Sequence, residues 1–152
     1  MYLRFSLFIS VFMTLLLGSS SCDDSNEVKM SKHFETESHN NGRNCMDCHV
    51  DGRKGEGQWT IAGSCYDSLF ITPYPNAIVK LFTEANGQGK LLATIEVDGN
   101  GNFYTTEGVD FGNGLYPVVT GTTGKTMAMQ GSVKTGACNS CHNFTNCKIA
   151  VK

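Results

Sequence analysis

Proline is scarce in this sequence, 3 in 152 residues, and so are histidine, 4, and tryptophan, 1. So little proline excludes collagen-like and proline-rich low-complexity structure. Charge is also sparse: Asp, Glu, Lys and Arg make up 17% of the residues, with a net formal charge of -2. No run of Lys and Arg builds the basic stripe that binds polyanions, so nucleic acid is not an expected partner. No phosphate loop, paired-carboxylate pattern or nucleophile-base pair stands out, and the chain is expected not to be an enzyme. What is plentiful is Gly, 17 residues, and Cys, 7. Gly combined with polar segments rich in Asn, Thr and Ser suits short strands joined by tight turns.

One long apolar run stands out, Phe5 to Leu17, after the basic Arg4 and before Gly18-Ser19-Ser20-Ser21. It is short for a bilayer span and reads as a signal peptide over residues 1–21. Small residues running straight into Cys22 resemble a lipoprotein cleavage site, although Ser19 stands where Leu is usual. Acylated Cys22 would then begin the mature chain; an ordinary signal peptide with Cys22 merely nearby is the alternative. Two or more acyl chains anchor a protein stably, so the expected location is the outer membrane or cell surface, with the periplasmic side open. Residues 22–38 are polar and read as a tether, with a helical turn or two around Lys29 to Glu37.

Export constrains the remaining cysteines, because a free thiol outside the cytoplasm is a liability. Cys45, Cys48, Cys138 and Cys141 form two C-x-x-C pairs, each followed directly by a histidine, His49 and His142. Two thiols at that spacing can add across the two vinyl groups of one porphyrin, and the adjacent imidazole then reaches the iron. The residue frequencies give fewer than about 0.01 such motifs by chance in a chain of this length. Two covalent haems of the c type are therefore the expected cofactors. A four-thiolate zinc site is a rival, but zinc pairs are usually spaced by ~15–20 residues, far less than here. Structural disulfides would leave both histidines unexplained, and a thioredoxin-like dithiol would want a β-α-β setting. Cys65 and Cys147 are the remainder, and one disulfide between them is expected.

Two further histidines remain for two irons. His39 leads straight into the first motif and is the expected distal ligand; His33 lies in the tether and reads equally well as solvated. Met129 or Met127, just before the second motif, is the alternative on the second iron, where a thioether raises the potential. Both methionines also fit core packing on a strand. Met30 and Met46 carry no assigned role. Trp59, Phe103, Tyr104 and Tyr116 are expected in the core or against haem.

From Trp59 the pattern is that of strands. Ala77, Val79 and Leu81 alternate with other residues, and Leu91, Ala93, Ile95 and Val97 line one face of the next run. Asp98-Gly99-Asn100-Gly101 marks a tight turn before Asn102 to Thr105, with further short strands at Leu115 to Thr120 and Thr126 to Gln130. Residues 39–152 should thus form a mainly β domain, a small antiparallel β-sandwich with haem-binding loops at both ends.

Several of these stretches resemble a family of bacterial haem-binding proteins in which a carboxypeptidase-regulatory-like sandwich carries C-x-x-C-H sites. They are His39-Asn40 with Gly42 before the first motif, Trp59-Thr60-Ile61-Ala62-Gly63, Pro75 to Leu81, Gly101 to Thr105, and Gly136-Ala137 before the second motif. The resemblance implies a transthyretin-like sandwich and an electron-transfer role, with other redox proteins as partners. Cys65 stands where such domains often have an apolar residue, which supports its pairing with Cys147. The expected function is that of an exported dihaem electron carrier. The alternatives are a surface binding module with metal or disulfides at the thiols, and a haem peroxidase or sensor with a five-coordinate iron.

Overall fold

The computed structural model describes residues 28–145 and 147–152. The signal peptide and Cys22 lie outside them. Among the described residues no helix is long and apolar enough to cross a membrane.

The described residues form eight strands: β1 Ile61–Tyr66, β2 Ile78–Glu84, β3 Gln88–Glu96, β4 Asn102–Thr105, β5 Tyr116–Thr120, β6 Thr126–Ala128, β7 Gly136–Ala137 and β8 Ile149–Ala150. One sheet runs β3-β2-β5-β6, antiparallel throughout. The other is built around β1, which pairs antiparallel with β4 and parallel with both β7 and β8. The mainly β sandwich read from the sequence is the fold observed. The tight turn falls where expected: Gly101 has φ 83°, and the Asp98 carboxylate accepts from the amides of Asn100 and Asn102.

The core lies between the sheets, where Val79, Leu81, Ala93, Ile95 and Val119 meet Ile61, Cys65 and Phe103. One expected core residue is outside it. A register shift in the β2–β3 pairing sets Leu81 opposite Ala93 but Phe82 opposite Leu91. The extra residue reverses the alternation, so Leu91 is 43% exposed and Leu92 packs against the core instead.

The part of the tether that the structure describes is docked, not free, and it is not helical. Met30 bridges to Thr105, and the Ser31 amide donates to Tyr104 O. The buried Ser31 hydroxyl donates to Glu96 O at 2.5 Å. This extended segment satisfies β4, which would otherwise be an unpaired edge. His33 belongs to the same contact. Its Nε2–H donates to Ala77 O at 3.0 Å, and Nδ1 faces Glu96 Oε2 at 3.8 Å. The His33 Nε2 is thus taken by a backbone carbonyl.

Strand β1 is buried at all six positions, Ile61 to Tyr66. The β3-β2-β5-β6 sheet covers one face, and the segment before β1 covers the other, so the middle of the strand must be small: Ala62-Gly63-Ser64. A Cβ at Gly63 would lie 2.5 Å from the Phe103 ring and 2.9 Å from the Cys138 Cβ. This is the close approach that brings the second motif onto the core.

Candidate functional site

The two C-x-x-C-H motifs fold alike. Cys45–Asp47 and Cys138–Ser140 each form one 3-10 turn. In each, the backbone N–H of the second cysteine and of the histidine donate to the carbonyl of the first cysteine, at 2.9–3.2 Å. Asn44 starts the first turn, accepting from Met46 N and donating to Asp47. The histidines are also held alike. His49 Nδ1–H donates to Glu56 O at 2.8 Å, and His142 Nδ1–H donates to Cys147 O. A carbonyl can only accept, so both rings are fixed in the tautomer whose Nε2 lone pair is free for a metal.

The first motif adds an aromatic stack. The His49 ring lies 3.6 Å from Trp59 with 9° between planes, and Trp59 lies 4.3 Å from Tyr104, also at 9°. A Cβ on Gly55 would meet the His49 ring at 2.7 Å, so only glycine fits beside it. His39, exposed at the surface, has its ring centre 6.2 Å from that of His49. Two imidazoles on opposite sides of one metal, each at a metal–nitrogen distance of about 2.0–2.1 Å, place their ring centres roughly 6.3 Å apart. The separation suits a shared iron.

The second motif opens on a cavity of about 530 Å³, within the range of about 300–1,000 Å³ typical of cofactor pockets. Cys138, Cys141 and His142 line it together with Met127, Met129 and Phe103. Both methionines therefore reach the space beside His142, although Met127 also packs against the core.

The sequence suggested loops at opposite ends of the sandwich; the structure sets them side by side. β7 leads into the second turn and β8 follows the loop, and both strands pair with β1. The first turn and the second are joined by Asn139, which donates to Arg43 O at 2.8 Å. No sequence signal marks Asn139, because the chemistry of C-x-x-C-H leaves its middle positions open.

The expected disulfide is not formed in the structure. Cys65 and Cys147 are both free thiols, Cys65 fully buried and Cys147 exposed. Cys65 faces the core, and Cys138 of the second motif packs against the same cluster. Among the described residues no three of His, Cys, Asp and Glu gather into a group that could hold a metal ion.

Burial keeps the first thiol of each motif protonated. It pushes Cys45 from 9.0 up to about 11 and Cys138 up to about 12, with a small upward push on Cys138 from Cys45. Cys48 and Cys141 are exposed. In protein lacking an attached group, Cys45 and Cys138 should therefore react with a thiol reagent near pH 8 much more slowly than Cys48 and Cys141. The fold holds these protons more tightly than the unfolded chain, so its stability should fall as pH rises from about 9 towards 11. Peptide mapping after timed labelling checks the rates, and equal rates at pH 8 for all four thiols would contradict the burial argument.

One buried polar atom has no hydrogen-bond partner among the described residues. Tyr66 Oη is buried and makes no hydrogen bond, the only such side-chain atom among the described residues. It faces Gly42 and Phe144, and so lies between the two motif loops. A buried unpaired hydroxyl costs about 1–3 kcal/mol, which a carboxylate of a bound group at this place would offset.

No family model matches the chain, and no curated protein or solved structure is similar to it in these comparisons. The class that the structure defines is a two-sheet β-sandwich with paired C-x-x-C-H loops on one strand.

Proposed function

We propose that this chain is an exported c-type cytochrome that binds two covalent haems and carries electrons between redox proteins. One observation carries the reading: both C-x-x-C-H motifs wind into the same turn and hold their histidines by Nδ1, with Nε2 left for an iron. Haem iron supplies a one-electron couple whose potential is set by its axial ligands and surroundings. The chain's own residues do the rest. Cys45 with Cys48, and Cys138 with Cys141, provide the thioether links. His49 and His142 are the proximal ligands, and the stack on Trp59 fixes the plane of the His49 ring. His39 suits the distal position on the first iron. Met129 or Met127 suits it on the second, within a largely apolar cavity that favours the uncharged thioether.

Cys22 would anchor the protein to the outer membrane or cell surface. Docking begins at Lys29, whose amide donates to Thr106 Oγ1, so the anchor would keep the sandwich within about 25 Å of the lipid. A membrane-bound or surface redox protein is the partner such a short reach favours.

Protein made in cells with haem-attachment machinery should keep its colour after denaturation, and its mass should exceed the polypeptide by two haems. A colourless product from such cells would overturn the reading.

A further inference from the structure

Asn139 is 1% exposed and stands between the two cysteines of the second motif. Thioether formation and iron ligation use the thiols and the histidine, so neither needs a buried amide at this position. Its hydrogen bonds point elsewhere. Nδ2 donates to Arg43 O at 2.8 Å and to Ser64 Oγ at 2.9 Å, and Oδ1 accepts from the Ser64 amide at 3.0 Å. Ser64 N–H faces the gap between β7 and β8, so the Asn139 side chain stands in for a missing strand partner. The Ser64 hydroxyl in turn donates to Asn102 Oδ1 at 2.6 Å and accepts from Gly42 N at 2.9 Å. Asn102 Nδ2 continues to Ser38 Oγ at 2.9 Å and His39 O at 3.4 Å. One buried network thus fixes residues 38–43, β1, β4 and the second turn together. Such networks rigidify a site when every member is satisfied, as the Asn139 amide is. Arg43 lies two residues before Cys45, and Asn139 directly follows Cys138, so both attachment points hang from one side chain.

We infer that Asn139 is a positioning residue that locks the two attachment loops into one rigid unit and so holds the two haems as an electronically coupled pair. This rests on the haem reading above. No other side chain meets the same demands: Asp lacks both donors, Ala lacks every polar atom, and Gln is a methylene too long for a site so buried. Ser140, the other middle residue, bonds only within its own loop, to Ala137 O and Cys141 Sγ.

The test is electron paramagnetic resonance on the intact holoprotein, fully oxidised and half reduced, for the natural chain, Asn139→Asp and Ser140→Ala. In the natural chain the oxidised signals should be broadened and integrate to fewer than two independent spins. They should sharpen when one iron is reduced and becomes diamagnetic. Asn139→Asp should lose the broadening while keeping two haems and the far-UV circular dichroism of a β-sandwich, and Ser140→Ala should keep it. Two sharp, independent signals in the natural chain would overturn the coupled pair yet leave the cytochrome reading standing. Coupling that survives in Asn139→Asp would overturn the role of Asn139. So would a variant that folds but takes up one haem or none, since attachment does not need the amide. A colourless natural chain would instead remove the cytochrome reading itself.

Discussion

A His39→Ala variant is expected to convert one of the two haems from a low-spin to a high-spin spectrum, leaving the other unchanged. The ring of His39 lies 6.2 Å from that of His49, near the roughly 6.3 Å that two imidazoles on one metal require. The His49 ring cannot move to compensate, because Trp59 stacks on it at 3.6 Å and its Nδ1–H is tied to Glu56 O. Loss of the distal nitrogen therefore leaves an open coordination position, and with the axial ligand changed the potential of that haem should shift. Absorption spectra and a redox titration read both effects. Met129→Ala should act on the other haem, since Met129 lines the cavity of the second motif. If Met129→Ala alters the spectrum and His39→Ala does not, histidine ligation of the first iron is lost as an idea. High-spin spectra for both haems in the natural chain would favour a peroxidase or ligand sensor.

Replacing Gly63 by Val should destabilise the protein by upwards of about 3 kcal/mol, because overpacking alone costs about 1–3 kcal/mol and here two rigid groups are struck. A first carbon at this position already meets the Phe103 ring at 2.5 Å and Cys138 at 2.9 Å. Phe103 is fixed in the core and Cys138 in its turn, so neither can yield without displacing the sheet or the second motif. For a domain of this size that loss lowers Tm on the order of 10 °C, a large part of a typical total stability of about 5–15 kcal/mol. Attachment at the second motif should fall with it. Gly108→Ala is the control, since nothing lies within 4 Å of its added carbon. Thermal unfolding followed by circular dichroism decides the matter. A Gly63→Val protein that melts with the natural chain would show that Phe103 and Cys138 are not held as described.

The class of fold was legible in the sequence because period-two patterning and turn residues are local signals. β4 begins and ends where the Asp98-Gly99-Asn100-Gly101 turn implies, and Val79 and Leu81 are buried as their alternation requires. The β3 strand shows the limit of that reasoning. A bulge depends on the partner strand, so the exchange of Leu91 for Leu92 could not be read from β3 alone. The tether was misread for a similar reason: Ser31 and His33 look polar and free in sequence, but their partners Tyr104, Glu96 and Ala77 are far along the chain.

For the site, the residues proposed to bond the haems were legible in the sequence. Cys45, Cys48, His49, Cys138, Cys141 and His142 match the fixed local spacing that attachment to a porphyrin would require. Only the tertiary structure decided how the two motifs stand to each other. They adjoin because β7 and β8 both add in parallel to β1, and parallel pairing carries no short-range signature. The same strand decided the fate of Cys65, whose place in β1 turns it into the core against which Cys138 packs, while Cys147 is exposed. Asn139 owes its role wholly to this juxtaposition. Its partners Arg43 and Ser64 come within hydrogen-bond reach only when the sheet is assembled, which is why residue type and spacing alone did not mark it.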